Sequence, residues 1–277
     1  MIKKGNSKVI ILAKYLLREA LAGAILEFLR SFLSALYMAA LYYAALRAIS
    51  ERYAMLATAG LTFYYFIVRV SGQGLHASDQ AYRVDNVLAE LPVSPITVFR
   101  LAWFVHSALA SAMTLANFYV LQFALSALRA APSCSPAVLA LSALTSPTVS
   151  LFSALQGTVQ YYIVNKFAPS VFRLFKSKKI NVSYNFAARV LLNAATLLTF
   201  FLYSAAPIYY TYASMPWWAK PLALVNPQTF LIEAGRGGMD PAAAAAAIAL
   251  SLCAYYVANE KLFERFVEAR RSGRATM

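Results

Sequence analysis

Charge is scarce in this chain, and negative charge is scarcest. Only 13% of its 277 residues are charged, and just 11 of them are Asp or Glu. An ordinary soluble domain carries about 25% charged residues, so a water-covered surface is a poor fit for a chain that is 61% hydrophobic. Two cysteines, Cys134 and Cys253, exclude a disulfide scaffold. The two histidines, His76 and His106, stand apart from each other and from any Cys cluster, so no metal site is expected. Nothing matches the G-x-x-x-x-G-K-[ST] loop that cradles phosphates, and Gly72 and Gly74 read as a flexible helix end. No carboxylate falls in the middle of an apolar run, which disfavours transport coupled to protons or sodium. No nucleophile and base can be paired, so no catalytic residue is named and the chain is not expected to be an enzyme. Work against a gradient would therefore need energy from another chain.

What the sequence does have is long apolar runs. A helix needs about 20 apolar residues to cross a bilayer. Six such runs fall at about 28–49, 54–70, 101–128, 137–164, 187–206 and 241–257, with a charged tail over 258–277. These read as one all-α integral membrane domain spanning 1–277. Lys3, Lys4, Lys8, Lys14 and Arg18 interrupt the place where the core of a cleavable signal would lie, so the first span is expected to stay as an anchor. Ahead of it, Ile10, Leu17, Leu21 and Ile25 share one side of a helix while Lys14 and Arg18 share another, the pattern of a helix lying in the interface.

Polar side chains inside the runs are few. Asn117 and Gln122 in the third, and Gln156 and Gln160 four apart in the fourth, are expected to face other helices and bond across them. Pro147 is expected to kink the fourth run. Between the fifth and sixth runs, Tyr209, Tyr210, Tyr212, Trp217 and Trp218 form an aromatic belt. The segment then continues through Asn226 and Pro227 to Phe230, Ile232, Glu233 and Arg236, which predict a short surface or re-entrant helix. Gly237 and Gly238 end it, and Asp240 with Pro241 opens the sixth run as N-cap and first helical residue.

The net charge of +14 is distributed in blocks beside the apolar runs rather than on one soluble face, which points to lipid and not to nucleic acid. With both termini in the cytoplasm, 20 of the 25 basic residues lie inside and only Arg47, Arg52, Arg129, Lys220 and Arg236 lie outside. That bias predicts a multi-pass protein of the cell membrane with cytoplasmic ends. It also places 72–100 in the cytoplasm. There Ser78 or Asp79 can cap a helix, Val84, Val87, Leu88 and Leu91 recur on one face, and Pro92 ends it.

At this point the residues resemble a family. Glu90, Leu91, Pro92, Val93, Ser94 and Pro95, followed by Arg100, form an acidic helix end, a leucine-proline-small-proline turn and a basic residue opening the third span. Pro216, Trp217 and Trp218, then Asn226, Pro227, Glu233 and Arg236, form a second element before the last span. Together, in this layout, they resemble the type-2 permease subunits of ATP-binding-cassette (ABC) transporters, mostly exporters. The resemblance implies six spans, an amphipathic helix before the first, and a coupling helix between the second and third. It further implies alternating access driven by a separate cytoplasmic ATPase that holds the ATP and magnesium, this chain itself needing no cofactor. That partner would dock on the helix from Asp79 to Leu91, through Arg83, Asp85, Leu88, Glu90 and Pro92, and on Lys14 and Arg18 of the first helix. Pro95, Arg100, Asn226, Pro227, Glu233 and Arg236 would be structural motif residues. A second permease copy or a paralogue would complete the complex. The alternative reading is a membrane scaffold or sensor subunit that moves nothing.

Overall fold

The computed structural model describes residues 24–51, 53–55, 57, 58, 95–127, 135–180 and 182–271, together with Ile11, Lys14, Leu17, Arg18 and Leu21. Among them the chain is helical, with no strand. We label the helices α1 (Ala24–Arg47), α2 (Pro95–Ala127), α3 (Pro136–Ser177), α4 (Tyr184–Ser204), α5 (Lys220–Val225), α6 (Gln228–Gly235) and α7 (Pro241–Arg271).

The helix ends follow from local chemistry. Ser135 stands in extended backbone before α3, and its hydroxyl accepts from the Val138 N–H at 3.3 Å, so one of the four orphan donors of the first turn is satisfied. Pro136 occupies the first helical position, where its missing N–H costs nothing. Asp240 does the same for α7, accepting from the Ala243 N–H at 3.0 Å before Pro241. This is the start the sequence predicts. At the other end of α3, the Ile180 N–H bonds the Phe175 carbonyl and the Lys179 N–H bonds that of Lys176, each at 3.0 Å. This is a Schellman stop. Its left-handed residue, with φ of 60°, is Lys179 rather than glycine.

α3 is the axis of the fold, packed against α2, α4, α6 and α7. Two bonds fix α2 as its antiparallel neighbour: the Ser146 hydroxyl meets that of Ser111 at 2.6 Å, and the Tyr119 hydroxyl donates to the Leu139 carbonyl at 3.1 Å. α7 runs parallel to α3, with the Phe152 and Tyr255 rings 5.2 Å apart and the Asn259 amide donating to the Leu151 carbonyl at 2.9 Å. α4 returns antiparallel, its Tyr184 and Phe186 rings 5.9 and 6.3 Å from Phe172 and Phe175. α3 also buries Ser142, Thr145, Thr148, Ser153 and Thr158. Each of these hydroxyls donates to a carbonyl three or four residues back, so a polar side chain enters the core with its donor satisfied. The central apolar cluster brings Val138, Val149, Leu231, Ile232, Ala244 and Ile248 together.

α3 and the stretch Pro241–Arg265 of α7 are long and apolar enough to cross a membrane among the described residues, and Phe32–Arg47 and Phe118–Ala127 are shorter apolar helices. The outer face of α7 is not a hidden core face, since Leu250 is 74% exposed. An apolar helix with an uncovered face is what a bilayer solvates. The described helices coincide with five of the six apolar runs, with shifted ends. The largest shift is in α3, which carries on through Pro169 to Ser177, well past the end of the fourth apolar run at about 164. The helix at 228–235 was expected as a surface or re-entrant element, and since all residues from Gln228 to Ala234 are buried, the surface alternative does not hold.

Candidate functional site

Two polar assemblies stand out, one at each end of α7. The first joins α6 to the segment that leaves α4. The Asn226 side chain reaches both ways: its amide donates to the Leu202 carbonyl at 3.3 Å and its oxygen accepts from the Gln228 N–H at 3.1 Å. Pro227 follows between α5 and α6, and Thr229 closes the turn by donating to the Ala223 carbonyl at 2.6 Å. One turn further, the Glu233 carboxylate accepts from the Tyr212 N–H at 3.0 Å. The Arg236 guanidinium then donates to three carbonyls of one short stretch, those of Pro207, Ile208 and Tyr210 at 2.9 Å. The planar fork of arginine suits such a set, which a lysine ammonium would meet less completely. Burial pushes the Arg236 pKa down to about 10, with Glu233 opposing the shift.

Two glycines make room for this clamp. Gly237 takes φ of 74°, the left-handed region that costs a side-chain residue free energy. At Gly238 a Cβ would stand 2.6 Å from Glu233 Oε2, so only glycine leaves that carboxylate in place. Beside them a cleft of about 470 Å³ opens between the starts of α3 and α7, lined by Ser135, Val138, Gly235, Met239 and Asp240 among others.

The second assembly lies toward the other end of α7. Arg100, in the second turn of α2, meets Glu260 with Nε 2.6 Å from Oε1. The Tyr256 ring, one turn before Glu260, lies edge-on to Trp103 with centroids 6.4 Å apart. Asn259 holds α7 to α3 at the same level. The segment entering α2 is thereby tied to the final helix.

Of the residues singled out in the sequence, Asn226, Pro227, Glu233 and Arg236 come together in the first assembly, and Arg100 anchors the second. Pro95 is the first residue of α2. Lys14 and Arg18 are helical and exposed. Arg83, Asp85, Leu88, Glu90 and Pro92 lie outside the described residues, as does the rest of the stretch from 59 to 94. Gln122 and Gln156 are buried as expected, but their amides have no hydrogen-bond partner among the described residues, so the predicted bonds across helices are not made there. Sequence reasoning missed Asn259 and Glu260 because the last apolar run was ended at residue 257, and it passed over Tyr256 inside that run. The spacing of Tyr256 and Glu260, one helical turn apart, was the available signal. Among the described residues no His, Cys, Asp and Glu cluster could hold a metal.

No protein-family model matches the chain, and no curated protein sequence does either.

Proposed function

We propose that this chain is the membrane-spanning subunit of an ABC transporter, an exporter that moves its cargo by alternating access. In this reading six helices cross the cell membrane with both ends in the cytoplasm. A separate ATPase docks on the 79–91 helix through Arg83, Asp85, Leu88, Glu90 and Pro92, with Lys14 and Arg18 beside it. ATP-driven closure of two ATPases then rocks two permease subunits between inward and outward states.

The observation that carries the proposal is the sequence from Glu90 to Arg100, an acidic helix end and double-proline turn leading into α2, whose Arg100 is pinned to α7 at 2.6 Å. A push on the docking helix would reach α2 directly and α7 through this pair. The carbonyl clamp at Arg236 is consistent with the same reading, since it ties the segment that leads into α7 to the stretch that follows α4. The lack of any nucleotide loop in a chain with this layout supports an external energy source.

The test is purification of the tagged chain from its native membrane. An ATP-hydrolysing partner should come with it, and the R83E/E90K double variant should lose that partner or its ATP-driven work. Unchanged binding and transport in the double variant would refute the docking assignment. A complex whose ATP hydrolysis is never linked to movement of cargo would favour the scaffold or sensor reading instead.

A further inference from the structure

The turn between α3 and α4 gathers basic charge with no acidic counterpart among the described residues. Lys166, Arg173, Lys176, Lys178, Lys179 and Arg189 are all exposed. The sequence holds no Asp or Glu between Glu90 and Glu233, and no ion pair among the described residues neutralises any of the six. The hairpin that carries them is well ordered by its own contacts. The Phe172–Tyr184 and Phe175–Phe186 ring pairs hold the two helices together, the Schellman stop ends α3, and the Ser183 hydroxyl accepts from the Phe186 N–H at 3.2 Å to start α4.

Lys179 sits where glycine would be cheaper. Its φ of 60° lies in the left-handed region, the position of a Schellman stop that glycine usually fills. A lysine there accepts backbone strain and gains nothing from packing, because the side chain is exposed. What it adds is charge at the tip, beside Lys176 and Lys178.

Apolar side chains stand between these charges. Leu174 is 57% exposed, and Ile180 and Phe186 are each 49% exposed. Nearer the core, the Lys166 ammonium lies 5.7 Å from the Tyr162 ring centre and 5.6 Å from that of Phe167, the arrangement of a lysine leaving an apolar layer for water. Helix rise puts Lys176 about 15 Å beyond Lys166, and Tyr184 and Phe186 continue the aromatic band toward the tip. Salt screens over about 8 to 10 Å, and lysine side chains add their own reach. The tip charges therefore fall within electrostatic range of an anionic surface at the level of Lys166, and the remaining charges lie nearer to it.

We propose that this hairpin is a binding surface for anionic phospholipid headgroups, with Lys176, Lys178 and Lys179 at its tip and Leu174, Ile180 and Phe186 as its apolar contacts. A nucleic acid would match the charge and leave those three apolar side chains uncovered, whereas an anionic lipid surface next to an apolar helix offers both the charge and an apolar layer. The proposal rests on the membrane placement of the chain and not on the ATPase partner.

The test is native mass spectrometry of the full chain in a mild detergent, titrated with phosphatidylglycerol and, separately, with phosphatidylcholine. The wild type should retain the anionic lipid preferentially. Each lysine near an anionic surface is worth roughly fivefold in affinity, so K176Q/K178Q/K179Q should lose that preference by about tenfold or more. Lys179→Gly should lose roughly fivefold while its melting temperature rises, because glycine relieves the left-handed backbone. A purely structural role for Lys179 could not move those two readouts in opposite directions. Removing two charges elsewhere, in R47Q/K220Q, should leave the preference unchanged. Equal retention of both lipids by the wild type, or an undiminished preference in the triple variant, would overturn the proposal. Binding of polyglutamate or an oligonucleotide with indifference to phosphatidylglycerol would overturn it too and assign the surface to an acidic macromolecule. A chain that stays in solution without detergent would overturn the membrane placement and the proposal with it.

Discussion

Arg236 shows how one side chain can organise a turn that has no regular structure. Its guanidinium gathers the carbonyls of Pro207, Ile208 and Tyr210, which would otherwise face a largely buried site unsatisfied. Replacing it with methionine should cost about 3 to 5 kcal/mol, in line with removing one side of a buried charged network, read as a lower melting temperature in detergent. Lysine should recover only part of that loss. The pH dependence has a definite sign. The folded pKa of about 10 lies below the ordinary arginine value, so the unfolded chain binds more protons in the window above 10. The contribution of Arg236 to stability should be flat from pH 6 to 9 and should rise as pH climbs through 10. Comparing melts of wild type and the methionine variant across that range checks it; a difference that changed between pH 6 and 9 would contradict the assignment. Gly237→Ala should cost about 1 to 2 kcal/mol from the left-handed backbone alone.

The clamp residues were legible in the sequence because each has a narrow use. An Asn-Pro pair marks a turn, two consecutive glycines mark a helix stop, and Asp-Pro marks a helix start. Their mutual contacts were not legible. Nothing in local spacing says that Glu233 will find the Tyr212 N–H 21 positions back, or that Arg236 will reach the carbonyls that follow α4. The burial of α6 was missed for a related reason. A short amphipathic segment near an aromatic belt reads as interfacial, and only the packing of α3 and α7 around it makes Leu231 and Ile232 core residues.

Among the elements, α3 departs most from its apolar pattern. Its 42 residues amount to about 63 Å of helix, twice the roughly 30 Å of a hydrocarbon core. The apolar window ends near residue 164, and hydropathy alone cannot show that the helix continues beyond it. Pro147 and Pro169 both lie within the helix, which continues past each of them. The contact between α2 and α7 is the element-scale prediction. The Arg100–Glu260 pair is partly exposed, so a double-mutant cycle with R100Q and E260Q should give a coupling of about 0.2 to 1 kcal/mol, falling as salt is raised. Such a pair stabilises little and registers two helices against each other, which is the property transmission of a push requires. A coupling of zero at low salt would remove the link from docking stretch to last helix.

For the whole molecule, the layout of helices around a polar-lined central axis was partly readable, and the proposed external source of energy rests on elimination. The sequence carries neither a phosphate loop nor a buried carboxylate in its apolar runs. The stretch from 79 to 91 reads as an amphipathic segment between two apolar runs, and Arg100 downstream of it pairs with Glu260 of α7. The central claim is that a separate ATPase drives this chain through that stretch. Cross-linking and mass spectrometry of the complex isolated from native membranes tests it most directly. The account predicts a nucleotide-hydrolysing protein cross-linked to residues between Asp79 and Leu91, and ATP hydrolysis that becomes uncoupled from transport in R83E/E90K. A complex with no nucleotide-hydrolysing member, or one whose ATPase contacts only other parts of the chain, would contradict it.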